Sequence, residues 1–349
     1  MDRCDPLNAL PGVLLLWYEK YKRELPWRRD REPYHVWLSE IMLQQTRVEA
    51  VKGYYTRFLT ALPTIEALAA CDDELLHKLC EGLGYYSRVR NLKKAAQVVM
   101  EDHGGVFPRD HAAVRALPGI GDYTAGAICS ICFDQPTPAV DGNVLRVMAR
   151  ILDDHTPIDL PARKKEVQNQ LAAVYPDRAG DFTQALMELG ATLCGPNKKP
   201  DCENCPCRNF CLGCQKGTAE SLPVKNPKKG KRQETLTVFI LRRGEEFVLE
   251  KRPEKGLLAG LWQFPNIPGC LDGARAAAWA GERGLKVRDI RRIVEKKHIF
   301  THIQWNMTGI YLEISEKTEG FRWFSEEEIE KNAALPTAFR QFWEERNYV

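Results

Sequence analysis

A chain of 349 residues with 44% hydrophobic and 28% charged side chains can bury a full core, and its length favours two domains over one. A net charge of only +3 argues no general affinity for polyanions, so any nucleic-acid contact must come from a local basic surface. The longest apolar run near the start, residues 13–17, is far too short for a membrane span and no cleavage pattern follows it; a cytoplasmic protein, at the nucleoid if bacterial, is the expectation.

In chain order, residues 10–214 read as repeated amphipathic helices, for example 33–51, 65–79, 90–102 and 163–174, with strand-like runs nearly absent. Proline and glycine punctuate the joints at 62–63, 104–105, 117–119 and 175–176, which suits a compact all-helical domain. In the first of these helices Glu40 sits beside Ile41 and one turn from Val36 and Trp37, close to the apolar stripe. Partial desolvation there raises the pKa of its carboxyl and lets it hold a proton near neutral pH, whereas a lone Glu at the edge of a stripe more commonly keeps its head in water.

Further on, Leu117-Pro118-Gly119-Ile120-Gly121 turns tightly before a segment of small and apolar residues suited to a helix. Glycines there let backbone N–H groups approach a phosphate, and the helix start adds favourable partial charge. This is a helix-hairpin-helix pattern, which would position DNA without reading its sequence. The next helix start, Val140-Asp141-Gly142-Asn143, places Asp141 at or near the N-cap, where N–H groups and the helix dipole keep it ionised. Plain capping accounts for a lone Asp. A protonated Glu40 and an ionised Asp141 facing one cleft, however, make the pair needed to cleave a glycosidic bond through an oxocarbenium-like state.

Of twelve cysteines, six (Cys194, Cys202, Cys205, Cys207, Cys211 and Cys214) crowd into 21 residues. Without a secretory signal, such clustering favours metal or cluster ligation over a disulfide framework. Cys194-x7-Cys202-x2-Cys205-x5-Cys211 suits a [4Fe-4S] cluster, and four-cysteine zinc is a rival that spacing barely separates from it. Residues 215–233 carry Lys225, Lys228, Lys229, Lys231 and Arg232 with two prolines and few apolar side chains, the composition of an exposed linker. Beyond it, 235–242 and 247–251 read as strands joined by a turn at Gly244, followed by broken segments and a helical tail, a smaller α+β domain. The expected division is 1–215 for the helical domain, 216–234 for the basic linker and 235–349 for the second domain.

Residues 37–46, Gly82-Leu83-Gly84-Tyr85-Tyr86, the hairpin, residues 140–144 and the cysteine loop together closely resemble adenine DNA glycosylases of the MutY type, within the helix-hairpin-helix DNA glycosylase family. The resemblance covers the helical domain throughout and the C-terminal domain more loosely. It implies an all-α helix-hairpin-helix glycosylase domain, a six-helix barrel plus iron-sulfur cluster subdomain, followed by an α+β Nudix-like domain. It also implies a monomer that acts on duplex DNA and excises adenine mispaired with 8-oxoguanine or guanine. By that resemblance Glu40 protonates adenine N7, and Asp141 stabilises the developing sugar cation or captures it, with Tyr123 and Asn143 orienting them. The adenine is flipped into a pocket that involves Trp27, Arg28 and Gln184. Gln45 and Tyr85 match positions that wedge into the duplex, beside Thr46, Leu83 and Gly84, while Gly119, Ile120 and Gly121 meet the backbone. Cys194, Cys202, Cys205 and Cys211 match the ligands of a [4Fe-4S] cluster; the first gap holds seven residues where the family usually has six, which leaves Cys207 as an alternative ligand.

Residues 260–265 resemble the start of a Nudix domain, but where such hydrolases carry a Glu-rich helix for magnesium this chain has Ala276-Ala277-Ala278-Trp279-Ala280-Gly281-Glu282, so hydrolysis is not expected. The resemblance assigns lesion reading to Phe300, Thr301 and His302, with Thr301 replacing the usual Ser; its hydroxyl makes the same hydrogen bonds. The runner-up is an endonuclease III-like bifunctional glycosylase/lyase, which carries a Schiff-base lysine where this chain has Tyr123, and a phenol forms no imine. A non-catalytic damage-sensing DNA-binding protein is the third reading, against which the coexistence of Glu40 and Asp141 speaks.

Overall fold

The computed structural model describes residues 5–84, 86–196, 199–227 and 230–347. Two compact units are present, Met1–Ala70 with Asn91–Pro227, and Cys71–Arg90 with Lys228–Val349. Tyr85, Lys228 and Lys229, all singled out above, lie outside the described residues.

The helices in chain order are α1 (Pro6–Tyr21), α2 (Pro33–Leu43), α3 (Val48–Ala61), α4 (Ile65–Ala70), α5 (Asp73–Leu79), α6 (Tyr86–His103), α7 (His111–Ala116), α8 (Asp122–Phe133), α9 (Gly142–Ile151), α10 (Pro161–Ala172), α11 (Ala179–Ala191) and α12 (Leu212–Gln215). No described helix is long and apolar enough to cross a membrane. Residues 36–42 are all buried, so α2 runs through the interior and draws Glu40 in with it. The single helix expected over 33–51 is two. Gln45 adopts φ +59, a left-handed conformation that ends α2, and α3 restarts at Val48. The helix expected over 65–79 also breaks, because Asp72 accepts the N–H groups of Glu74 at 2.8 Å and Leu75 at 3.2 Å and so caps α5.

One core joins α1, α9, α10 and α11 through Leu10, Leu14, Val147, Met148, Val167, Phe182 and Leu186, and Cys207 and Cys211 belong to it. The tract read as an exposed linker is partly packed here. Leu222 is only 2% exposed, its carbonyl accepts from Arg150 Nε at 3.0 Å, and the Val224 carbonyl accepts the Ile158 N–H at 3.0 Å. One apolar side chain and two backbone acceptors outweigh the basic composition.

In the second unit a six-stranded sheet has the order β6-β7-β1-β2-β8, with β5 also on β1. Its strands are β1 (Arg232–Arg243), β2 (Glu246–Val248), β5 (Asn266–Pro268), β6 (Val287–Ile299), β7 (Ile303–Ile314) and β8 (Trp323–Ser325); β3 (Glu250–Lys251) and β4 (Trp262–Gln263) pair separately. The strand expected over 247–251 is thus divided at Leu249, whose N–H bonds the Arg322 carbonyl. Helix α13 (Gly273–Gly281) covers one face over Phe239, Leu241 and Ile310. On the other face lie α14 (Glu326–Asn332) and α15 (Thr337–Trp343), against Val238, Ile240, Met307 and Tyr311. Residues 300–302 form the turn between β6 and β7, closed by the Phe300 N–H on the Ile303 carbonyl at 2.8 Å.

Candidate active site

Glu40 comes from α2 and Tyr123 from the first turn of α8, and these helices pack together. The Tyr123 hydroxyl donates to Glu40 Oε2 at 2.6 Å, and Glu40 is 5% exposed. Burial pushes the Glu40 carboxyl up to about 7; the Tyr123 hydrogen bond pulls it down, the charge of Asp141 pushes it up and that of Arg28 pulls it down. Asp141 is therefore within electrostatic reach of Glu40. Burial and both carboxyls raise the Tyr123 phenol well above its ordinary pKa, which keeps it a neutral donor.

Asp141 is the N-cap of α9, as expected. Its Oδ1 accepts the Val144 N–H at 2.8 Å and its Oδ2 accepts from Asn143 Nδ2 at 2.7 Å. The cap does not act alone, however. The expectation that N–H groups and the helix dipole alone fix its charge is corrected: burial prevails and raises the carboxyl above its ordinary pKa, against the Val144 and Asn143 hydrogen bonds and the charge of Arg146. Glu40 receives one donor here and Asp141 two, so hydrogen bonding favours the charged form more at Asp141 than at Glu40. Such a pair can deliver a proton to a leaving base while holding negative charge against a developing sugar cation.

Sequence reasoning missed a second buried carboxylate in this unit. Glu188, 0% exposed, accepts from Arg23 Nε at 2.5 Å, Arg23 Nη2 at 3.0 Å and Arg28 Nη2 at 2.8 Å. Burial works to raise its pKa, but the two guanidiniums win and hold it below the usual range. No sequence signal links residues 160 positions apart. Arg28 and Gln184 line one open cavity of about 710 Å³, while Trp27 turns into the core, edge-on to Tyr55 with ring centroids 5.5 Å apart. Arg146 was also missed. Its Nη2 donates to Asn143 Oδ1 at 2.8 Å and its Nε to the Cys194 carbonyl at 2.9 Å, joining the cap of Asp141 to the cysteine loop.

Cys194, Cys202, Cys205, Cys207, Cys211 and Cys214 are free thiols lining one small cavity. Arg150 Nη1 donates to Cys194 Sγ at 3.2 Å, and the Cys211 thiol faces the Arg150 carbonyl at 3.3 Å. Among the described residues no three His, Cys, Asp or Glu side chains stand in a closed metal-holding geometry. The donor set nonetheless fits a cationic cluster, with converging thiols and a guanidinium on one of them to offset thiolate charge. The long first gap, which contains the undescribed Asn197 and Lys198, is pinched at its base by the Asp201 N–H on the Leu193 carbonyl at 2.9 Å.

In the second unit Gly84, Tyr86, Ser87 and Arg90 line a cleft of about 400 Å³ with Phe300, Thr301 and His302. The turn is held from behind, by Lys231 Nζ on the Phe300 carbonyl at 2.7 Å and the Arg232 N–H on the His302 carbonyl at 3.0 Å. Leu83 is buried, and Gly84 takes φ +75. Gln45 and Thr46 stand at the α2–α3 break in the first unit. Helix α13, where a Nudix hydrolase would carry carboxylates, has none along its length and instead packs Ala276 and Ala280 inward.

Residues 38–176 match the HhH-GPD superfamily base excision DNA repair proteins, and residues 237–345 match the NUDIX domain. The adenine DNA glycosylase of Homo sapiens is 36% identical over 96% of this chain and 73% of its own length, and that of Buchnera aphidicola (strain APS) is 32% identical over 89% and 88%. This chain belongs to the adenine DNA glycosylase family. It is therefore a DNA N-glycosylase of base excision repair, with a helix-hairpin-helix domain followed by a Nudix domain. A solved thermostable thymine-DNA glycosylase is also similar, with TM-score 0.56 and 29% identity over 60% of this chain and 97% of that one. An endonuclease III in a non-covalent DNA complex shares the fold, with TM-score 0.51 and 23% identity over 60% of this chain and 95% of that one.

In this adenine DNA glycosylase the hairpin runs from α7 to α8 through Gly119, Ile120 and Gly121, the last being the N-cap of α8. Gly119 has φ +79, and a Cβ on it would stand 2.6 Å from Asn91 Cβ. Gly119→Ala is expected to cost about 1–3 kcal/mol and weaken duplex binding. Gly121→Ala, with ordinary φ and open space around it, should cost less than about 1 kcal/mol. Thermal denaturation of both variants checks the contrast, and equal losses would refute it.

Proposed function

We propose that this glycosylase excises adenine paired with 8-oxoguanine, or more slowly with guanine, acting as a monomer on duplex DNA. Glu40 protonates adenine N7, which turns the base into a neutral leaving group. Asp141, held by Val144 and Asn143, stabilises the sugar cation or captures it before water attacks. Tyr123 orients Glu40 through its hydroxyl. The flipped adenine is received near Arg28 and Gln184, and Gln45, Thr46, Leu83, Gly84 and Tyr85 fill and flank the gap in the stack. The observation that carries this reading is a buried carboxyl, pushed up to about 7 and bonded to the Tyr123 hydroxyl at 2.6 Å, that feels the charge of a second, doubly hydrogen-bonded carboxyl.

The cleft beside Phe300, Thr301 and His302 supports lesion reading, since hydroxyl and imidazole groups can meet the altered N7–C8 edge of the oxidised base. Cys194, Cys202, Cys205 and Cys211 would hold a [4Fe-4S] cluster, which when bound supplies a structural clasp beside α9 and no redox step. Tyr123 cannot form an imine, so strand cleavage is not intrinsic.

Single-turnover release of adenine opposite 8-oxoguanine, guanine and thymine, with borohydride added in parallel, tests the reading. The expected result is fastest release opposite 8-oxoguanine with no trapped adduct, in protein carrying about four irons per chain, the stoichiometry of a four-iron cluster. Equal rates opposite all three bases, or an efficiently trapped adduct, would sink it.

A further inference from the structure

The loop carrying Leu83 and Gly84 belongs in sequence to the stretch matched as base excision repair protein, yet it groups in space with the Nudix chain. Its attachments explain why. On its N-terminal side the Glu81 carboxylate accepts the Leu335 N–H at 3.0 Å, Arg340 Nη1 at 3.0 Å and Lys78 Nζ at 2.7 Å. Lys78 Nζ also reaches the carbonyls of Ile329 at 3.3 Å and Ala333 at 3.4 Å. On its C-terminal side Arg90 Nη1 donates to the Ala259 carbonyl at 2.7 Å, and Tyr86 is buried against Leu261 and Ala334. Between these anchors the loop is closed by the Gly82 N–H on the Tyr86 hydroxyl at 3.1 Å and by Arg88 Nη2 on the Gly84 carbonyl at 3.4 Å. Gly84 then lines the same cleft as Phe300 and His302.

We propose that Glu81, through Arg340 and the Leu335 N–H, is a positioning residue that fixes the distance between Gly84 and the 300–302 turn and so sets how well the enzyme separates oxidised from unmodified guanine opposite the adenine. The inference rests on the lesion-reading role given above to that turn. Its physical basis is the rigidity of the clamp. A carboxylate with three donors, one of them a guanidinium shared with Glu330 at 2.7 Å, tolerates little displacement. A shift of an ångström on one wall of a base-sized cleft removes hydrogen bonds from the base that is read and leaves the hydrogen bonds of Glu40 and Asp141 as they are.

The test uses the full-length protein and two variants that act from opposite ends of the contact, Glu81→Gln and Arg340→Met. Single-turnover rates are measured on duplexes with adenine opposite 8-oxoguanine and opposite guanine, alongside thermal denaturation. The expected result is that the ratio of the two rates falls about tenfold, the factor produced by roughly 1.4 kcal/mol of lost alignment, while the rate opposite guanine stays near wild type. A ratio unchanged in both variants overturns the inference and leaves the lesion-reading role standing. A uniform fall of both rates points to a merely structural contact and overturns it too. If the unaltered enzyme shows no preference for oxidised guanine, the lesion-reading role fails, and the inference with it. Should one variant not fold, the other still gives the ratio.

Discussion

Glu40→Gln is expected to lower adenine release by about 10³-fold or more, with duplex affinity preserved, because general acid catalysis contributes on the order of 10²–10⁴ and protonation here also creates the leaving group. Glutamine keeps the volume and an acceptor for the Tyr123 hydroxyl, so the helix contact survives. Single-turnover kinetics with a parallel binding titration separates the two effects; a variant that still releases adenine within about tenfold of wild type would remove Glu40 from the role of acid. The pH profile carries the same information. With a carboxyl at about 7 as the acid, kcat/KM falls about tenfold between pH 6 and pH 8 as the proton is lost, and this limb disappears in the glutamine variant.

Stability should follow the same group. Folding raises the Glu40 pKa from 4.5 to about 7, so the folded state holds its proton more tightly than the unfolded chain does. The resulting contribution is fully present below about pH 4.5 and is lost as pH rises through 7, about 3 kcal/mol in all from a shift of this size. Glu40→Gln therefore melts higher than wild type at pH 8, and the advantage shrinks at pH 5. A wild-type melting temperature that rose relative to the variant on going from pH 5 to pH 8 would contradict the buried, proton-holding state.

Asp141→Asn is the second large effect, a loss of about 10³-fold in release, of the order seen when an electrostatic partner of the transition state is removed. The asparagine oxygen can still accept the Val144 N–H, so the cap and α9 remain. The charge does not remain, and the Asn143 amide now faces another donor. A duplex bearing a cationic amine in place of the sugar ring tells charge from geometry: the wild type should bind it far more tightly than a neutral abasic analogue, and the variant should bind both alike. If the variant keeps its preference for the cationic duplex, Asp141 is a cap and nothing more.

How much of this was legible differs from residue to residue. Asp141 as an N-cap was readable because capping is local, needing only the residue and the helix that follows it. The hairpin was readable for the same reason, with Gly119 marking a positive φ in the sequence itself. The break at Gln45 was not, since a left-handed glutamine leaves no trace in composition or period. Nor was the packing of 218–227 onto the helical unit, where Leu222 and two backbone carbonyls act among lysines that read as solvent-facing.

Local chemistry in the chain was enough to declare the kinds of groups present: two carboxyls on helices, a glycine turn, a knot of thiols and a Nudix-like stretch stripped of its metal-binding acids. Whether Glu40 holds a proton depends on the folded molecule, because lost water and a second carboxyl brought from a hundred residues away raise its pKa while a phenol at 2.6 Å pulls it back. The same is true of Glu188 under its two arginines and of the Glu81 clamp. Desolvation and charge coupling act through space and depend on which distant helices share a core, so they belong to the packed molecule and not to any window of its sequence.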